Sequence, residues 1–254
     1  MKNLNVVSAI TCSLAGGILV RRFDFMCARS FHLILALSVI FGATASADGS
    51  QVKDADCLSP VDPYPGDWHV RYTAQLRKKI EPPLHTFAEM LVRPAFEPEY
   101  SVSLHGTPND LEFAQASKFF LSYCAADKNI WYSMPENNEE KQQKDVSVSV
   151  TTVEFPNPLA KRIYEVWRRM LLGTRYFEDT SITVDATMTE FSSAGMYGET
   201  YDPSESESAA YLIELGHRLI DYCKAPPEKR ALAAKSIEIQ AKWLDRYLRT
   251  HPTK

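Results

Sequence analysis

The chain has 254 residues, 28 of them basic and 32 acidic, for a formal charge of −4. That length is enough for one domain with a substantial hydrophobic core, or at most two small ones. The mild acidity gives no general electrostatic pull toward nucleic acid or anionic lipid, and no nucleic-acid partner is expected.

The chain begins with two apolar stretches, Val6–Val20 and a second within FHLILALSVIFGATASA, residues 31–47. The second ends in Ala45-Ser46-Ala47, a small-x-small site that a signal peptidase can cut. Residues 1–47 therefore read as a leader region, and the mature chain is expected to begin near Asp48, outside the cytoplasm: periplasmic or secreted. Neither run reaches the ~20 apolar residues of a bilayer span, so no stable span is expected after cleavage. Starting at Met26 gives an ordinary signal peptide, with Arg29 as its positive end; the true start codon is expected there. An uncleaved anchor and a twin-arginine leader at Arg21-Arg22-Phe23 are the alternatives. Neither Cys12 nor Cys27 follows an apolar run as a lipid-attachment cysteine should. The leader holds four basic residues (Lys2, Arg21, Arg22, Arg29) and one acid (Asp24), so its loss moves the formal charge from −4 to −7.

Asp48–Gly66 is polar and proline-containing and reads as a flexible lead-in. Residues 67–254 read as a single domain. Asp67–Ile80 is predicted helical, with Trp68, Tyr72, Leu76 and Ile80 on one side. Pro82-Pro83 stops it. A short second helix is predicted next, with Leu84, Phe87 and Leu91 on one face. The middle of the chain reads as strands. Tyr100–Leu104 is one. Phe119–Ala125 and Ile130–Met134 flank Asp127-Lys128-Asn129 and predict a hairpin. Pro135–Lys144 is a polar loop, and Val146–Val150 alternates as a strand with one wet face.

Asn157-Pro158 starts a helix, with an N-cap side chain followed by proline at the first helical position. Leu159, Ile163, Val166, Trp167, Met170 and Leu171 form its apolar stripe, and Gly173 ends it. Arg162, Arg168, Arg169 and Arg175 are read as the solvated side of that helix. Ile182, Val184, Ala186 and Met188 alternate with Thr183, Asp185, Thr187 and Thr189, predicting a strand. Gly195–Tyr201 is predicted to turn and return as its hairpin partner. Ser204 and Glu207 fit a capping box. The helix after it buries Leu212, Leu215, Leu219 and Cys223. A last helix follows Pro226-Pro227, its stripe being Leu232, Ser236, Ile239, Trp243, Leu244, Tyr247 and Leu248. The order gives an α+β fold, with a mainly antiparallel sheet packed by several amphipathic helices in a single domain.

The segment from Trp167 to Tyr222 resembles a group of exported bacterial proteins of unknown function. The resemblance rests on W-x-x-M-L-x-x-T-R-Y (Trp167, Met170, Leu171, Thr174, Arg175, Tyr176), then Asp185, Thr187 and Phe191. It continues with the G-E-x-x-x-P pattern of Gly198, Glu199 and Pro203, and closes on Leu215, Leu219 and Tyr222. Ala186 stands where the pattern has glycine. The resemblance implies export and transfers no catalytic residue.

The mature chain keeps Cys57, Cys124 and Cys223. An odd count in an oxidising compartment predicts one disulfide among the three and one free thiol, with three pairings open. The alternative is three buried, reduced cysteines acting as small apolar residues. No catalytic motif emerges. His69, His85, His105, His217 and His251 sit in no recognisable pattern, and there is no G-x-S-x-G elbow. His217 has Glu214 one turn earlier, which reads as a surface ion pair. No cofactor is expected, and no metal: there is no C-x-x-C or H-E-x-x-H. Glu199, Asp202, Glu205 and Glu207 read as acids at a helix N-terminus.

A recognition surface is the better candidate. Arg175, Tyr176, Asp185, Thr187, Tyr197, Glu199 and Tyr201 fall on neighbouring strands or their ends, with Trp131-Tyr132 on a middle strand. Aromatics beside Arg and Glu can bind a partner; a buried Arg175–Glu199 pair locking helix to hairpin is the structural alternative. The expected function is a non-enzymatic binding or structural domain acting on a protein or cell-envelope component. The alternative is an envelope hydrolase that uses acidic residues such as Asp185 or Glu199, or His217.

Overall fold

Six strands form one antiparallel sheet in the order β4-β3-β2-β1-β5-β6. The computed structural model describes residues 57–61, 66–107, 109–110, 112–138, 140–176, 185–203 and 207–251. These lie within one compact unit, Gly49–Lys254. The leader, Ile182 and Val184 of the predicted strand, and Ser204 of the capping box lie outside the described residues. β1 (Thr86–Arg93), β2 (Tyr100–His105), β3 (Phe119–Ala126) and β4 (Val148–Phe155) run as a meander. Helix α2 (Asn157–Leu172) then carries the chain back to β5 (Met188–Ser193), which pairs with the free side of β1 and turns into β6 (Met196–Tyr201). Helices α1 (Asp67–Lys79), α3 (Ser208–Lys224) and α4 (Pro227–Thr250) complete the domain. The fold is α+β, with an antiparallel sheet, as the sequence predicts.

Period-two alternation divides the sheet into two faces. Ala88, Met90, Val92, Val102, Leu104, Phe119, Leu121, Val153, Phe155 and Phe191 point to one side. There they pack against Ile163, Val166, Trp167 and Met170 of α2 and Leu212, Leu215 and Leu219 of α3. α4 lies across α2 and α3 through Ile237, Ala241 and Leu244. On the opposite face α1 seats Tyr72, Leu76 and Ile80 over Leu91, Cys124 and Ala126. Among the described residues no helix is long and apolar enough to cross a membrane.

Several expectations need correction. The short helix through Leu84, Phe87 and Leu91 is β1, a central strand. It is buried on both faces, so its sequence lacks alternation and mimics helical spacing. A register shift between Thr86 and Ala88 also moves Phe87 onto the α2 side, beside Phe113 and Phe119. Ile130–Met134 is not a strand. The carboxylate of Glu99, fully buried, accepts the Ile130 N–H at 2.7 Å and the Trp131 N–H at 3.4 Å, and winds the segment into a 3-10 turn at Trp131–Ser133. The partner of β3 is β4, which starts later than Val146 and runs on to Phe155. Part of the lead-in is packed: Cys57 and Leu58 are buried, and Ser59 bridges to Glu199 on the β6 edge. In α4, Leu232, Ile239 and Trp243 face solvent, and the buried positions are Ile237, Ala241 and Leu244.

The predicted disulfide is absent: Cys57, Cys124 and Cys223 are buried, and no disulfide joins any of them. The topology explains why. Cys124 points to the α1 face, whereas Cys223 lies on α3 across the sheet, within the α2–α3 core. Cys57 sits at the β6 edge, four strands from β3, or roughly 19 Å at the usual strand spacing. A disulfide needs Cα atoms within about 7 Å. Burial raises the thiol pKa of Cys124, and pushes that of Cys223 up to about 12.

Candidate functional site

Beneath α1 the apolar run of β1 carries two charges, Glu89 and Arg93, four residues apart and so on the same face. β5 adds Glu190 to that face, in register with Leu91. Helical spacing on α1 places His69, Thr73 and Arg77 one turn apart above them. The Arg77 guanidinium donates to both Glu89 oxygens, at 2.8 and 2.7 Å, and to Glu190 Oε1 at 2.7 Å. Arg93 donates to Glu190 Oε2, and to His69 Nε2 at 3.0 Å. Arginine cannot accept, so that imidazole nitrogen carries the lone pair. Two cations and two carboxylates balance. Burial, with the Glu190 charge acting the same way, raises the Glu89 pKa against the opposing pull of Arg77. Nearby, Tyr72 donates to Glu99 at 2.8 Å, and burial with that carboxylate holds the phenol protonated.

A second polar chain lies toward β4. His105 Nδ1 faces the Gly106 carbonyl at 3.0 Å, so the proton sits on Nδ1. Nε2 then accepts from Ser122 Oγ at 2.9 Å, and Ser122 in turn accepts from Thr152 Oγ1 at 2.7 Å. Burial lowers the His105 pKa. The arrangement matches a base and a hydroxyl, but Ser122 is 1% exposed, and its oxygen is closed to a substrate. The chain satisfies polar groups that the strands bury.

The residues singled out from sequence gather at the β6 edge. The Arg175 N–H donates to the Leu58 carbonyl at 3.0 Å. Ser59 and Glu199 exchange backbone hydrogen bonds at 2.8 and 2.7 Å. Gly198 makes this approach possible: a Cβ there would stand 3.0 Å from both the Leu58 Cβ and the Thr174 hydroxyl. Tyr176 (72% exposed) and Tyr197 (54%) project from this edge, while Glu199 is buried and accepts from the Tyr201 hydroxyl at 3.2 Å. Glu199 stands directly opposite Glu190, which ties the edge to the charged layer under α1. Thr187 and Asp202 close the far end of the hairpin: the Thr187 N–H donates to Asp202 Oδ2 at 3.1 Å. Asp185 lies before β5, exposed and at φ 76°.

Other expectations part company with the structure. Trp131 and Tyr132 lie on the 3-10 turn, not on a strand. Glu214 pairs with Arg218 at 2.8 Å, and His217 instead meets the Tyr100 hydroxyl at 3.2 Å. Tyr100 belongs to the α2–α3 side of β2, whereas Glu199 faces the α1 side of β6. His217, Glu199 and Asp185 therefore do not converge on one cleft. Among the described residues no group of three or more His, Cys, Asp or Glu is arranged to hold a metal ion.

The charged layer itself escaped the sequence reading. Its one signal was Glu89 and Arg93 inside TFAEMLVR, a same-face pair in an otherwise buried strand. Comparison with family models, curated proteins and solved structures finds no match for this chain.

Proposed function

We propose that this chain is an exported bacterial domain, periplasmic or secreted, that binds a protein or cell-envelope component without catalysing a reaction. The observation that carries the reading is the β6 edge. Two solvent-facing tyrosines, Tyr176 and Tyr197, flank a backbone held by the Leu58–Ser59 segment and backed by buried ion pairs. Aromatic groups on a rigid support are the usual anchors of protein recognition, because little side-chain entropy is lost on binding. The leader region Phe31–Ala47 supports export.

The test is a photo-crosslinking residue at Tyr197, with Tyr132 as the exposed control. A partner captured at position 197 and not at 132, and lost in Tyr176→Ala/Tyr197→Ala with unchanged thermal stability, is the expected result. Equal capture at both sites overturns the assignment of the surface. Mass spectrometry of the N-terminus checks export; a product beginning near Asp48 is expected, and an intact N-terminus at Met1 contradicts it.

A further inference from the structure

We propose that two copies of this chain associate through their β4 strands, forming a continuous twelve-stranded antiparallel sheet. Hydrogen-bond alternation decides which backbone groups of β4 face outward. The Asp127 N–H donates to the Ser147 carbonyl at 2.9 Å, and the β3–β4 register then runs unbroken from Ala126–Val148 to Phe119–Phe155. In an antiparallel ladder the paired residues alternate. Ser149, Thr151, Val153 and Phe155 therefore direct their backbone groups to β3. Val148, Val150, Thr152 and Glu154 direct theirs outward. Among the described residues only the Glu154 carbonyl has a partner on that side, the Tyr222 hydroxyl at 3.2 Å.

An open edge of this kind is normally blunted by lysine, proline, a bulge or brevity. β4 has none of these. It is eight residues long, its sequence VSVTTVEF is rich in β-branched side chains, and Val150 is 61% exposed. Its one charge is Glu154.

The strand fits itself. A two-fold axis perpendicular to the sheet requires residues of equal parity to face each other, so that side chains share a face. With Thr151 on the axis, Val150 faces the partner's Thr152 and Val148 faces the partner's Glu154. The two carboxylates then lie at opposite ends of the junction, roughly 20 Å apart at the strand rise, and do not repel. The outward-facing residues form the hydrogen-bonded pairs, about eight bonds across the junction. The opposite edge of the sheet is already occupied by Ser59 on β6. Among the described residues β4 is then the edge left open in each copy, and the isologous contact closes at two.

The test measures mass in solution. The full chain at tens of micromolar is expected to sediment at twice its monomer mass. Thr152→Pro removes an outward N–H that the monomer does not use, so it is expected to give a folded monomer with an unchanged circular dichroism spectrum. Thr151→Cys places two thiols on the axis at a non-hydrogen-bonded pair, where Cα atoms stand about 4.5 Å apart. It is expected to cross-link on oxidation, whereas Val148→Cys is not. The cross-link carries the test if Thr152→Pro does not fold. A monomer at ~100 μM that does not cross-link, a dimer that survives Thr152→Pro, or a complex holding one copy of this chain on a foreign strand each overturns the proposal. None of these readouts involves Tyr176 or Tyr197, so the β6 binding surface stands or falls separately.

Discussion

Glu190 is the residue on which the α1 face depends. Its two oxygens are divided between Arg77 from the helix and Arg93 from the neighbouring strand. Removing one cation strips one oxygen of its partner and leaves the buried cluster with one carboxylate in excess, which costs up to about 3–5 kcal/mol. Arg93→Ala is therefore expected to lose that much stability in urea unfolding, while the double change Arg93→Met/Glu190→Met loses far less. Glu89 gives a pH signature. Its folded-state pKa is raised, so the folded chain takes up this proton before the unfolded chain does as pH falls. Its stabilising contribution is complete below the unfolded value and is lost as pH rises through the folded one. Relative to Glu89→Gln, the wild type is expected to gain stability on acidification from neutral pH through the range just above ordinary glutamate values. A flat difference curve from pH 7 to pH 4 contradicts the assignment.

Among the elements, the β5–β6 hairpin and the α3–sheet contact expose their own constraints. The two-residue turn has Ala194 at φ 50° and Gly195 at φ 77°, the geometry of a type I′ turn. Glycine adopts that region freely, but alanine is strained there. Ala194→Asn is expected to stabilise the protein by about 0.5–1 kcal/mol, read as a higher melting temperature with the fold unchanged. At α3, Gly216 lies over β1 so closely that a Cβ would stand 2.2 Å from the Met90 sulfur. Met90 is fully buried, and Gly216→Ala is expected to cost about 1–3 kcal/mol as the helix lifts. These elements differ in how readable they were. α2 announced itself because its apolar stripe has one face to fill, and Trp167, Ile163 and Met170 fill it. β1 did not, because a central strand buried on both sides carries no alternation. The turn at Trp131 was equally hidden, since it is wound by a carboxylate 32 residues earlier, Glu99.

At the scale of the whole molecule, packing and buried ion pairs supply the stability, and no disulfide joins the described residues. Unfolding temperatures with and without reductant are expected to agree within about 1 °C, whereas loss of a native disulfide typically costs several degrees. In denaturant the thiols of Cys57, Cys124 and Cys223 are expected to react with Ellman's reagent, and in the native state to resist it. The candidate site was half legible at this scale. Arg175, Tyr197, Glu199 and Tyr201 were recognisable by type, and the structure gathers them at one edge. What joins them, Leu58 and Ser59, lay in a stretch too polar to suggest a strand. That join has a kinetic consequence. Ser59 and Glu199 are 140 positions apart in the chain, so the pairing that covers the sheet's second edge forms only after α2 and the other five strands have been synthesised. Such long loops are slow to close. Leu58 stays exposed until then, and the growing chain carries two open edges instead of one. Completion of β6 thus marks the point at which one of two aggregation-prone sheet edges is covered.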